Sequence, residues 1–98
     1  MTIDDARKEI DKIDKQLMEL LLKRLSYSRA IGELKHHNSI PIFDKAREVE
    51  IFNKLKLASN SEYEYIKPVF MAILQASKDA QNSYQKENQC ELSKREQN

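Results

Sequence analysis

The sequence predicts an all-α fold: three helices, one very long, one short and one of medium length, with two copies of the chain packed together. Three observations carry this prediction. First, the 98 residues include a single Gly and two Pro, and 34% of them are charged, a composition that favours helix over a many-stranded sheet. Second, an apolar stripe recurs at alternating steps of three and four from Ile3 through Ala6, Ile10, Ile13, Leu17, Leu20, Tyr27 and Ile31 to Leu34, a heptad pattern sustained for more than four repeats. Third, a helix over that stretch is about 50 Å long at 1.5 Å per residue. A compact chain of this size has a radius of gyration of only about 13 Å. The helix overshoots its own domain while carrying an apolar stripe along its whole length, and a second copy of the chain is the simplest partner to cover it.

Each element has its own signals. Thr2 is placed to cap the first helix, with Asp4 and Asp5 in its first turn, where the helix dipole favours negative charge. Lys35, His36 and His37 occupy the last turn and Asn38 the C-cap. Ser39-Ile40-Pro41 reads as a short loop, because Pro41 disfavours helical angles at Ile40. Asp44 caps a second helix that ends near Ala58, with Val49, Phe52 and Leu55 facing inward. Ser61-Glu62-Tyr63-Glu64 reads as a capping box for a third helix. Its inner face is Ile66, Val69, Phe70, Ile73, Leu74, Ser77, Gln81 and Tyr84, and Tyr63 and Tyr65 read as packing residues. Pro68 requires that this helix either start late or kink. Residues 1–85 form the expected helical domain, and residues 86–98 read as a polar tail, frayed or disordered.

Charge and cysteine content exclude several function classes. Seventeen basic and sixteen acidic residues are intermixed, leaving a net charge of +1 and no electrostatic case for nucleic acid or an anionic membrane. A lone Cys90 in the polar tail excludes a disulfide framework and argues against a metal cluster. No apolar run reaches membrane-span length and the N-terminus lacks a signal-peptide pattern, so the expected location is cytoplasmic. His36 and His37 are adjacent and point apart on a helix, with no third ligand at helical spacing, so no metal site is expected.

A few polar residues fit a plain core poorly. Arg24 lies within the heptad stripe, where a guanidinium needs an anion; that anion is either a structural ion-pair partner or a ligand carboxylate or phosphate. Lys35 follows eleven residues later, close to three turns, and projects from nearly the same side about 16 Å away; alone it also suits a helix end. Arg7 precedes Arg24 by about 25 Å along the helix, so it can meet Arg24 only across a dimer, and is otherwise a solvated first-turn residue. Asp44, Arg47 and Glu48 open the second helix, where plain capping and surface charge are the alternative reading. Ser77 and Gln81, four apart on an apolar face, point two hydrogen-bonding groups inward, toward a neighbouring helix or a ligand. Together these cations, one carboxylate and two neutral hydrogen-bonders suit a small ligand with two carboxylates, a hydroxyl and a further acceptor oxygen.

The series Arg7-x-x-Ile10-x-x-Ile13-Asp14, Leu20-Leu21-x-x-Arg24, Ile31-Gly32-x-x-Lys35, Pro41-x-x-Asp44-x-x-Arg47-Glu48 and Ser77-x-x-x-Gln81 resembles the all-helical (AroQ-type) chorismate mutases in their short monofunctional form, over residues 4 to about 85. The resemblance implies an intertwined homodimer in the cytoplasm, with two shared sites and no cofactor. The implied reaction is the conversion of chorismate to prephenate, in aromatic amino acid biosynthesis. It further implies that Arg24 and Arg7 of the partner subunit bind the substrate carboxylates, helped by Arg47 and Ser77. Glu48 and the backbone around Asp44 would hold the ring hydroxyl, and Lys35 and Gln81 would face the ether oxygen. Two alternatives stand beside it: an isochorismate–pyruvate lyase of the same fold, and a non-catalytic helical dimerisation module.

Overall fold

The computed structural model describes the backbone of residues 1–96 and the side chains of residues 1–83. It is all-α, with no strand among the described residues. Three helices follow in order: α1 (Ile3–His37), α2 (Lys45–Ser59) and α3 (Tyr63–Glu96), with a 3-10 turn (Asn60–Glu62) joining the last two.

α1 begins and ends where its chemistry dictates. The Thr2 hydroxyl accepts from the Asp5 amide while the Asp5 carboxylate accepts from the Thr2 amide, a reciprocal box that satisfies two of the donors a helix start leaves open. The Thr2 backbone bond, and then the Thr2 side chain, hold the Asp5 carboxyl below its ordinary range. At the other end the Asn38 amide and side chain both donate to the Leu34 carbonyl, and Ser39 takes a positive φ of 53° as the chain turns. Asp44 caps α2, its side chain accepting from the Arg47 amide.

The packing is parallel between α1 and α3. Ser28 meets Ser77, and four residues on Gly32 meets Gln81, so the two helices rise together. A Cβ on Gly32 would lie 2.8 Å from the Gln81 Cα and 2.9 Å from its carbonyl oxygen, so only Gly permits this approach. α2 runs back antiparallel, with Glu48 near its start paired to Lys78 on α3.

Among the described residues, burial on α1 is concentrated in its C-terminal half. From Met1 to Lys23 every residue except Ala6 is exposed, and the stripe shows it: Ile10 is 52% exposed, Leu17 50% and Leu20 63%. The molecule measures 65 × 30 × 16 Å with a radius of gyration of 18.1 Å, well beyond a compact chain of this length.

Four expectations need correction. α3 is 34 residues long rather than medium, because no Gly or Pro follows Pro68 and the Lys, Glu, Gln and Leu residues there are helix formers. The polarity of residues 86–96 does not end the helix backbone; residues 97 and 98 lie outside the described residues. Ser61 falls inside the 3-10 turn, which feeds directly into α3 at Tyr63 after Asn60 adopts a φ of 49°, so no capping box opens there. α3 carries Pro68 inside it. Finally, Val49, Tyr65 and Val69 are exposed, because no second layer of this chain covers those faces; the side chain of Tyr84 lies outside the described residues.

Candidate active site

The three helices converge on a cavity of about 350 Å³, within the size range of small-molecule sites. α1 contributes Arg24, Ser28 and Lys35; the start of α2 contributes Asp44, Arg47 and Glu48; α3 contributes Ser77, Lys78 and Gln81. Tyr27, Ile31, Ile42, Ile51 and Leu74 form its apolar wall. The structure thus brings together seven of the eight residues singled out in the sequence. Arg7 is the exception: it is exposed on the first turns of α1, about 25 Å along the helix from Arg24.

Four cations face two carboxylates in this cavity, and their partners differ. Arg24 is half-buried, and among the described residues its guanidinium makes no ion pair. The structural-pair reading of Arg24 therefore finds no anion among the described residues, and a half-buried guanidinium without one there favours an anionic ligand. Lys35 donates to the Ile42 carbonyl at 2.7 Å, tying the end of α1 to the loop before α2. Arg47 pairs with Glu50 at 3.2 Å on an exposed face, a contact that gives way readily because exposed pairs contribute little. Glu50 itself is held below the ordinary carboxylate range, chiefly by the hydrogen bond and charge of Lys54 and then by Arg47.

Lys78 and Ser28 were not among the residues singled out. Lys78 donates to Glu48 at 3.1 Å, with both side chains about a quarter exposed, and its ammonium lies 5.3 Å from the centre of the Phe43 ring. It fixes the Glu48 carboxylate and the loop beside it. A lysine next to Ser77 carries no distinguishing signal in the sequence. Ser28 is 3% exposed and bonds to Ser77; its place one turn beyond Arg24 was the available signal, but a small polar residue on a helix seldom announces a role.

The cavity's chemistry is that of binding and orientation. No His or Cys lines it, and among the described residues neither Ser28 nor Ser77 is hydrogen-bonded to a group that could act as its base. Among the described residues no group of three or more His, Cys, Asp or Glu gathers where a metal could be held. No helix there is long and apolar enough to cross a membrane. Beside the cavity, sharing Arg24 with it, runs an open apolar groove of about 460 Å³ between α1 and α3, lined by Leu21, Leu25, Val69, Ala72, Ile73 and Ala76.

A family model described as "Chorismate mutase type II" matches residues 6–82. The chain is 31% identical over 88 residues to the chorismate mutase of Methanocaldococcus jannaschii, covering 87% of this chain and 89% of that one. It is 36% identical over 66 residues to the bifunctional chorismate mutase/prephenate dehydratase of Aquifex aeolicus, covering 67% of this chain but spanning only 18% of that protein's length. Among solved structures, a conserved hypothetical protein from Pyrococcus furiosus superposes with a TM-score of 0.68 at 41% identity, over 83% of this chain and 96% of that one.

Proposed function

The chain belongs to the chorismate mutase type II family, and we propose that it is itself a chorismate mutase, converting chorismate to prephenate in the aromatic amino acid pathway as a homodimer with shared sites. The observation that carries this reading is the convergence of Arg24, Lys35, Arg47, Glu48 and Gln81 from three helices on one cavity without a nucleophile–base pair.

The reaction needs no such pair. In this intramolecular [3,3] rearrangement the C–O bond to the ring breaks as a C–C bond forms from the enolpyruvyl methylene to the ring. Six electrons shift round a cyclic transition state; no proton moves and no covalent enzyme intermediate forms. Catalysis then comes from two sources. One is holding the flexible arm over the ring, which converts lost freedom into rate. The other is placing donors where negative charge grows, at the ether oxygen.

The residues divide accordingly. Arg24, without an ion pair among the described residues, takes one substrate carboxylate in a bidentate grip, with Arg47 alongside after releasing Glu50. The partner's Arg7 completes the set by crossing into the site from the overhanging end of its helix. Glu48, steadied by Lys78, accepts from the ring hydroxyl near the Asp44 backbone. Lys35, anchored on the Ile42 carbonyl through one of its three N–H groups, donates through another, with Gln81, to the ether oxygen. The apolar groove beside Arg24 is the natural seat for the partner's α1 stripe, which supports the homodimer. The protein is expected to act in the cytoplasm.

The test is ultraviolet loss of chorismate with the purified protein, with prephenate identified by its acid conversion to phenylpyruvate. Enzyme-dependent conversion is the expected result. A folded dimer that leaves chorismate untouched would overturn the reading; turnover of isochorismate to salicylate would then assign the lyase, and neither activity a non-catalytic module.

A further inference from the structure

We propose that Ser28 is a positioning residue that sets which end of the Gln81 amide faces Ser77, and so keeps a Gln81 N–H available to the cavity. The proposal rests on the mutase reading of the site.

The argument is a count of protons along one chain of hydrogen bonds. The Ser28 hydroxyl lies 3.1 Å from the Arg24 backbone carbonyl. A carbonyl can only accept, so Ser28 commits its one hydrogen there. Ser28 Oγ is also 2.7 Å from Ser77 Oγ. With Ser28's hydrogen committed, Ser77 must donate to Ser28, and its own single hydrogen is then committed too. Toward Gln81, Ser77 therefore presents only lone pairs. The Gln81 amide can meet it only with Nε2, which lies 3.4 Å away. The opposite orientation would set the amide oxygen against lone pairs. Polarity thus runs from Gln81 through Ser77 and Ser28 to the Arg24 carbonyl.

Two consequences follow for the site. Nε2 has a second hydrogen, which has no acceptor among the described residues and is left for a ligand oxygen. Gln81 Oε1 is buried without a hydrogen-bond partner there, so Ser77 is the amide's sole fixed contact. The Gln81 backbone, pressed against Gly32, gives the side chain a firm base from which that one contact aims it. Ser77, with its hydrogen on Ser28, aims Gln81.

Ser28→Ala tests this cleanly, since Ala raises helix propensity and removes one oxygen. Without Ser28, Ser77 regains a free hydrogen and can donate to the Gln81 oxygen, so the amide loses its fixed orientation. The expected result is a fall in kcat of about five- to tenfold, the scale of one neutral hydrogen bond, with KM for chorismate little changed. In a Gln81→Ala background, Ser28→Ala should have no further effect on kcat. In the free protein, the Gln81 side-chain amide protons should shift and exchange faster with solvent in Ser28→Ala than in the wild type, as followed by ¹⁵N-edited NMR. Equal losses from Ser28→Ala in both backgrounds, or an unchanged Gln81 amide signal, would overturn the proposal. Should the wild-type protein fail to turn over chorismate, the mutase reading falls, while the amide signal still decides what Ser28 does.

Discussion

Lys35 donates to a loop carbonyl at 2.7 Å, so its ammonium is anchored at the wall of the cavity with two N–H groups left over. That preorganisation is what an electrostatic catalyst requires, because little rearrangement remains for the moment of reaction. Lys35→Ala should lower kcat on the order of 10²–10³-fold, the typical loss for one transition-state donor, with the dimer intact by sedimentation; retention of full rate would remove Lys35 from the mechanism. Gln81 donates at any pH, so the rate should be flat from mild acid to neutrality. Gln81→Glu should introduce an acid requirement: a carboxyl group donates only while protonated, so activity rises as pH falls through its pKa. A pH–rate profile for Gln81→Glu as flat as the wild type's would show that position 81 does not donate to the ether oxygen. Arg24, Ser77 and Gln81, which line one cavity, were legible because Arg24 breaks an apolar stripe and Ser77 with Gln81 breaks another. Ser28 and Lys78 were not legible, since their roles lie in contacts 49 residues and 30 residues away along the chain.

Elements with strong end chemistry were read most accurately. The Thr2 box and the Asn38 cap bound α1 at both ends, and Asp44 caps α2. α3 was harder at both ends. Its start is a 3-10 turn in which Asn60 takes a positive φ, a local choice that competes closely with a Ser61 cap. Its far end has no stop signal at all, and polarity alone says nothing about backbone conformation. Between the elements, the contact of Gly32 with Gln81 joins α1 to α3 at the base of the site. Gly32→Ala places a methyl group against backbone atoms that cannot swing away, so the helices must separate. Overpacking of this kind costs about 1–3 kcal/mol, and here it also displaces Gln81. Thermal unfolding at a lower temperature together with reduced kcat is the expected pair of results; a variant with unchanged stability would mean that the helices yield freely at this point.

At the level of the whole molecule, the exposed stripe from Ile3 to Leu20 and the groove beside Arg24 call for each other. Sedimentation should give about 23 kDa, twice the chain mass of 11.5 kDa. The shared site has a sharper test. Arg7→Ala and Arg24→Ala chains should each be nearly inactive alone. Mixed and allowed to exchange, half of the dimers become heterodimers with one intact site of two, so about a quarter of wild-type activity should return. No recovery after demonstrated exchange would place both arginines in the same subunit's chemistry or in none. The length mismatch that predicted this arrangement was legible from the sequence; which face of α3 the partner meets was not, because helix periodicity identifies an apolar face without naming its occupant.

The bare first half of α1 also bears on how the protein reaches its native state. Among the described residues those turns are largely exposed, and in proteins most helical stability comes from packing an apolar face and not from propensity. In the proposed homodimer the helix is then completed by encounter and not by collapse. The last stage of folding is then second order in chain: after dilution from denaturant, recovery should slow as protein concentration is lowered, and the midpoint of unfolding should drift with it. A newly made copy is thus an unfinished one until it meets another.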